Sequence, residues 1–290
     1  MRKLVPIIVV IAALMLGIWV GWKRPRTEPL GPALRIDFID VGQGDSILIQ
    51  TPDGANALID AGEEGYGPAV ADHLRSAGVR RLDLVVMTHP HRDHIGGIPA
   101  VLQAVPAARV LDSGYACGST TQENVLKVIG AGRIPYTRAK VGMAITLGTR
   151  ARLEVLSPQQ QLAYGTRSDA DNSSIVIRLV FGQVRVLLMG DAQEEAEGAL
   201  IASHRNLESQ ILKIAHHGAD DATSLELLRL VKPDYVVISV GARGEDGSPG
   251  RRVLRRLDKE RTGAELFRTD RDGTVSFLTD GRRIIVEKER

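Results

Sequence analysis

Short apolar runs recur along the chain with two different spacings. Leu34–Val41, Ser46–Gln50 and Asn56–Asp60 alternate or cluster apolar side chains as strands do. Thr51-Pro52-Asp53-Gly54 punctuates them as a tight turn, since proline presets φ and glycine tolerates a positive φ. Pro68–Ala77 then reads as a helix closed by Gly78. Leu82–Thr88 is a buried strand, the segment from Gly96-Gly97 to Val105 is a short helical region, Arg109–Asp112 is a strand and Asn124–Ile129 a helix. Strands follow at Arg152–Leu156, Ser174–Phe181, Arg185–Met189, Ile211–Ala215 and Tyr235–Ser239. Helices are expected over Gln193–Ala202, Ser224–Val231 and Arg251–Arg261, and strands at Leu266–Thr269, Thr274–Thr279 and Ile284–Glu287 close the chain. Strand pairs with helices between some of them predict one α/β domain (α+β by some schemes) over residues 33–290.

The beginning breaks this rhythm. Leu4 to Trp22 is a nineteen-residue uncharged apolar run, about the length that crosses a hydrocarbon core as a helix. Arg2 and Lys3 precede it, and Lys23, Arg24 and Arg26 follow, so basic residues flank both sides and leave orientation open. Residues 1–22 read as a membrane anchor, with a cleaved signal segment as the alternative; the run exceeds a usual signal core, and no small-x-small site follows it. An anchor would leave the domain membrane-bound and extracytoplasmic, and cleavage would leave it secreted. Residues 23–32, with three prolines, three basic residues and a glycine, read as a linker.

Composition adds little beyond an ordinary globular domain: 43% hydrophobic, 25% charged, net charge +2. That charge argues for no partner, and no protein partner is inferable. The single Cys117 excludes an intramolecular disulfide and a cysteine-rich zinc site.

Histidine changes the picture. Five of the seven fall in two clusters: His89, His91 and His94, then His216 and His217. Thr88-His89-Pro90-His91-Arg92-Asp93-His94 places four metal-ligating side chains in six residues at a strand end. His89 and His91 flank the proline and can reach one ion; Asp93 and His94 come a turn later and can reach a second. Imidazole and carboxylate suit zinc, and also iron or manganese. Asp191 follows a strand through Gly190 and could bridge two ions, while His217 again stands at a strand end before Gly218. Asp60 ends a strand and would support a ligating histidine by hydrogen bonding.

In this order, Asp60, His89-x-His91-x-Asp93-His94, Gly190-Asp191 and His216-His217-Gly218 resemble the motif series of the metallo-β-lactamase superfamily. Phe38 to Ser46, with its Gln43-Gly44-Asp45, and Asp171-Asn172-Ser173-Ser174 are similar to the extracytoplasmic domain of ComEC-type DNA-uptake competence proteins. The same holds for Leu212-Lys213-Ile214-Ala215-His216-His217-Gly218. The resemblance covers roughly Leu34 to Val286. It implies an αββα sandwich with metals at one edge of the two sheets, and a hydrolase with phosphodiesters, DNA strands foremost, as substrates. It assigns two divalent ions, zinc favoured and manganese the alternative: His89 and His91 for one, Asp93, His94 and His217 for the other, Asp191 between.

This chain departs from the pattern in several places, among them Gly218-Ala219 where Gly-Ser is common. No histidine lies between His94 and Asp191; Asp171 or Asn172 stands there to ligate or to position water, and Lys213 is a further supporting candidate. Where the competence branch often carries Tyr-Gly-His-Pro, this chain has Asp246-Gly247-Ser248-Pro249, so Ser248 replaces a histidine. The implied mechanism is attack by metal-activated water, with Asp93 orienting the nucleophile and His216 contacting phosphate or protonating the leaving oxygen. Two other readings stay open: a non-catalytic metal-containing module for nucleic acids or anions, and a small-ester hydrolase such as a lactonase or phosphorylcholine esterase. Arg251, Arg252, Arg255, Arg256 and Lys259 put positive charge on one helix face, which either contacts phosphates or is simply solvated.

Overall fold

The computed structural model describes residues 30–242, 247–259 and 263–290. The apolar run Leu4–Trp22, most of the linker and the end of the expected helix Arg251–Arg261 lie outside the described residues. Among the described residues no helix is long and apolar enough to cross a membrane. Residues 32–290 form one compact unit.

Two sheets face each other. The first joins β1 (Leu34–Phe38), β2 (Ile47–Gln50), β3 (Asn56–Ile59), β4 (Leu84–Met87), β5 (Val110–Asp112) and β6 (Tyr136–Arg138) to the C-terminal β14 (Val275–Thr279) and β15 (Ile284–Lys288). Its order is β15-β14-β1-β2-β3-β4-β5-β6. The second contains β7 (Ala144–Leu147), β8 (Ala151–Ser157), β9 (Val176–Phe181), β10 (Val184–Leu188), β11 (Ile211–Lys213), β12 (Tyr235–Ile238) and β13 (Glu265–Arg268). Its order is β13-β12-β11-β10-β9-β8-β7. In each sheet the strands on one side run parallel, β3 to β6 in the first and β10 to β13 in the second.

Side-chain alternation explains the layering. In β4, Leu84 and Val86 enter the core between the sheets, while Val85 and Met87 pack outward under helices. The outer layer on that side holds α1 (Gly67–Ser76), α2 (Arg92–Ile95), α3 (Ile98–Ala104) and α4 (Thr120–Ala131). Val70, Leu74, Val101 and Val125 from three of these helices share that layer's core. Leu187, Leu212 and Val236 do the same for the second sheet, against Leu200 of α6 (Glu194–Ala202) and Leu227 and Leu228 of α7 (Leu225–Val231). The result is the expected αββα sandwich.

Among the elements that the pattern did not show are two edge strands and a short helix. β6 and β7 are the outermost strands of their sheets, and β6 is exposed at all three residues, so neither carries the apolar run of a strand covered on both faces. The four-residue helix α5 (Asp169–Asn172) is set by Ser168, whose side chain accepts the Asp171 N–H. The expected helix Asn124–Ile129 is longer, because Ser119 caps it one residue before Thr120.

Phe277 lies at the centre of an aromatic group in the inter-sheet core, edge-on to Phe38 at 5.8 Å and to Phe267 at 5.9 Å. Phe277→Ala should lower unfolding free energy by about 3–5 kcal/mol in urea titrations. A loss under about 1 kcal/mol would contradict this packing.

Candidate metal centre

The parallel strands of both sheets end at the same edge, and loops leaving those ends carry the chemistry. Asp60 follows β3, His89 follows β4, Asp191 follows β10 and His217 follows β11. Asp45 precedes β2 and Asp171 precedes β9; both strands run antiparallel to their neighbours, so their beginnings reach that edge too. Ligand sites in α/β sheets lie beyond the carboxyl ends of strands for this reason.

Thr88 and Asp60 organise the first loop. The Thr88 N–H donates to Asp60 Oδ1 at 2.9 Å, and the Thr88 hydroxyl donates to Oδ2. His94 Nδ1 donates to the same Oδ2 at 2.8 Å, which turns His94 Nε2 toward Asp191 Oδ2 at 3.1 Å. Asp60 is fully buried and takes a left-handed φ of 57° to present its carboxylate this way. His217 is oriented likewise: its Nδ1 donates to the Ser239 carbonyl at 2.9 Å, leaving Nε2 at 3.2 Å from Asp93 Oδ2 and 3.3 Å from Asp191 Oδ2.

Two donor groups result, beside a third cluster of Asp45, Asp60 and His94. Asp93, His94, Asp191 and His217 offer atoms all within 4.8 Å of one another, as do His89, His91 and Asp171. The groups adjoin, since Asp191 Oδ2 also lies 3.7 Å from His89 Nε2. Asp171 Oδ1 lies 2.9 Å from His91 Nδ1 and 3.3 Å from His89 Nε2. Asp171 and Asn172 therefore part company. Asn172 accepts the Ala196 N–H at 3.0 Å and donates to Glu195 at 2.9 Å, so its side chain caps α6. His73 and His204 stand elsewhere, His73 paired with Asp37 at 3.0 Å.

Proximity of these groups sets their charges. Burial lowers the His94 pKa, but Asp191, Asp93 and Asp60 outweigh it and hold it well above the imidazole range. His217 follows the same balance, burial against Asp191 and Asp93, and is raised to about 10. Burial also works against ionised Asp191, yet His217 and His94 keep its carboxyl well below the usual range. Burial, reinforced by His94, drives His89 well below the imidazole range, and the hydrogen bond to Asp171 raises His91.

The other sequence candidates lie close by. Lys213 is buried beneath Asp191, paired with Asp45. His216 Nδ1 meets Asp221 Oδ1 at 3.0 Å. His216, His217 and Ser248 line one cavity of about 720 Å3 with Gln43, Arg167, Arg252 and Arg256. Within the basic helix α8 (Arg251–Lys259), Arg256 is already committed: it donates to the carbonyls of Ala222 and Thr223 at 2.8 and 2.9 Å. Thr88, Asp45 and Ser239 were not singled out from sequence. All three stand inside family-like strings, Ser239 within residues 232–241, but Ser239 acts through a backbone carbonyl that no residue type reveals.

The Metallo-beta-lactamase superfamily profile matches residues 39–242. This chain belongs to the metallo-beta-lactamase superfamily. ComE operon protein 3 of Bacillus subtilis is 27% identical over 265 residues, covering 85% of this chain and 33% of that protein. Competence protein ComA of Neisseria gonorrhoeae is 29% identical over 268 residues, covering 92% of this chain and 35% of that protein. The chain thus spans about a third of the length of these relatives. The metallo-beta-lactamase fold protein YhfI of Bacillus subtilis superposes with a TM-score of 0.56 at 13% identity, covering 85% of this chain and 100% of that one, a likeness of fold.

Members of the superfamily are mostly metal-dependent hydrolases that bind divalent ions, and the donors here fit such ions. They are imidazole nitrogens and carboxylate oxygens, and the buried Oδ1 of Asp191 has no hydrogen-bond partner.

A divalent ion must displace the protons that Asp191 and Asp93 hold on His94 and His217. Both histidines have raised pKa values, so affinity should climb as pH rises toward about 10, the His217 value. Each displaced proton weakens binding about tenfold per pH unit below that value. Zinc titration of metal-free protein in buffers of different ionisation enthalpy should register proton release; none across pH 6–8 would contradict this charge assignment.

Proposed function

We propose that this chain hydrolyses phosphodiesters, with DNA strands the leading substrate class, using two divalent cations, zinc favoured and manganese the alternative. The observation carrying the two-ion reading is the Asp191 carboxylate between the donor groups, with one oxygen 3.1 Å from His94 Nε2, 3.3 Å from His217 Nε2 and 3.7 Å from His89 Nε2. His89, His91 and Asp171 would hold one ion, Asp93, His94 and His217 the other, with Asp191 shared. The competence proteins among the relatives support DNA as substrate.

When bound, the ions supply Lewis acidity that makes water nucleophilic near neutral pH and offsets charge on phosphoryl oxygens. The chain's own groups do the rest. Asp60 and the Ser239 carbonyl fix the rings of His94 and His217, so that each Nε2 faces inward. Asp93 is 22% exposed, the most open carboxylate of its group, and orients the attacking water. His216, held by Asp221 beside the cavity, reaches the leaving oxygen or a phosphate oxygen.

One observation favours a small-ester substrate instead. Among the described residues the cavity wall carries Glu194, Glu197, Asp220 and Asp221 against Arg167, Arg252 and Arg256, so it presents no net positive face to a polyanion. Bis-p-nitrophenyl phosphate, DNA, a lactone and a phosphorylcholine ester, each with zinc and with manganese, decide between the readings. We expect turnover of the phosphodiesters and its reduction by at least about a thousandfold in His94→Ala/Asp191→Ala. Undiminished cleavage in that variant refutes the centre, preferential lactone hydrolysis selects the small-ester reading, and ion binding without turnover selects a binding module.

The uncharged run Leu4–Trp22 supports a membrane anchor, and the resemblance to the extracytoplasmic domain of competence proteins supports that side for the domain. Release of the full-length chain from membranes by alkaline carbonate would oppose it.

A further inference from the structure

Lys213 occupies a position that the strand pattern reserves for an apolar side chain. In β11, Ile211 enters the inter-sheet core and Leu212 the outer layer, so Lys213 returns to the inter-sheet side, fully buried at its end. An ammonium in such a place is costly unless it is paired. Its pairing is with Asp45 Oδ2, and the Gly190 carbonyl lies at 3.4 Å. Asp191 Oδ1 is farther, at 4.0 Å, and has no hydrogen-bond partner. The two oxygens of Asp191 thus face different charges: Oδ2 the imidazoles of both donor groups, Oδ1 the ammonium.

Asp45 is held firmly against the metal-binding loop. Its N–H donates to the Asp93 carbonyl at 3.2 Å, and its own carbonyl accepts from Gly62 at 2.9 Å. The preceding Gly44 has φ 124°, and a Cβ there would fall 2.1 Å from the Asp93 carbonyl oxygen, so only glycine lets the loop approach this closely.

We propose that Asp45 and Lys213 are a positioning pair that sets the charge of the metal centre: Asp45 restrains the ammonium, so Asp191 stays available to cations. This rests on the two-ion reading above. Asp45, Asp60, Asp93, Asp171 and Asp191 contribute five negative charges and Lys213 one positive, leaving four for two divalent ions to cancel. Asp45 and Asp60 also lie within 4.8 Å of a His94 nitrogen; the ammonium takes Asp45 Oδ2 and the Thr88 donors take Asp60, while Asp45 Oδ1 has no hydrogen-bond partner.

The two single substitutions should act in opposite directions. Asp45→Asn frees the ammonium to take Asp191 and compete with the ions, whereas Lys213→Met leaves one more anion beside them. At an effective permittivity of about 20, a unit charge several ångströms from a divalent ion changes its binding by well over tenfold, so about tenfold is a conservative floor. Zinc and manganese(II) affinities of the full chain, measured by competition with a chromophoric chelator, should fall at least about tenfold in Asp45→Asn and rise in Lys213→Met. Asp45→Asn/Lys213→Met, which keeps the total charge, should stay within about threefold of wild type. A pair that merely braces the fold would weaken binding in both single variants, and that result overturns the proposal. If a single variant does not fold, the double variant decides, and a loss of about tenfold or more there overturns it. Metal content by mass spectrometry separates the two levels: wild type holding fewer than two ions refutes the two-ion reading and with it the charge balance, whereas two ions with same-direction single variants refute the positioning pair alone.

Discussion

Carboxylates and imidazoles crowded together out of water constrain everything else in this molecule. Asp60, His89 and His94 are fully buried, and Asp171, Asp191 and His217 nearly so. Like charges at such separations repel strongly in a weakly polarisable interior. The protein answers with interleaving, since each carboxylate lies against an imidazole or the Lys213 ammonium, and with backbone that an ordinary loop would avoid. Asp60, His216 and His217 all take left-handed φ values of 48–57° without being glycine. Such conformations cost about 1–3 kcal/mol each and persist only where surrounding contacts fix them. Here the contacts are the hydrogen bonds of Asp60 to Thr88 and His94, and of His217 to Ser239.

What could be read from sequence followed from covering and clustering. β4 and β10 are covered on both faces and showed as apolar runs; β6 and β7 lie at sheet edges and left too little signal. The histidine string and Asp191 announced a metal-binding edge because those residue types are scarce and stand at strand ends. Asp171 and Asn172 could not be told apart, as neighbours in a four-residue helix point in different directions and only the fold shows which one meets His91. Lys213 drew notice as part of a string, but its partner Asp45 is remote in sequence, and a pairing between distant loops has no local signature.

The donors are also divided between the two sheets. Asp60, His89, His91, Asp93 and His94 come from loops of the first, Asp171, Asp191 and His217 from loops of the second. Neither sheet alone holds a complete donor group, so ion binding and the packing of Phe38, Val86, Ile177 and Leu188 between the sheets reinforce each other. The cavity beside His217 borrows from both sides as well, Gln43 from one and His216 and Ser248 from the other.

The pairing of β1 with β14 has a consequence for how the chain comes into being. Leu34–Phe38 is made long before Val275–Thr279, the strand that one of its edges pairs with. Every metal-binding side chain has left the ribosome before that partner exists. During synthesis an apolar strand edge therefore waits open beside the full set of donors, until the hairpin of β14 with β15 emerges and seals it.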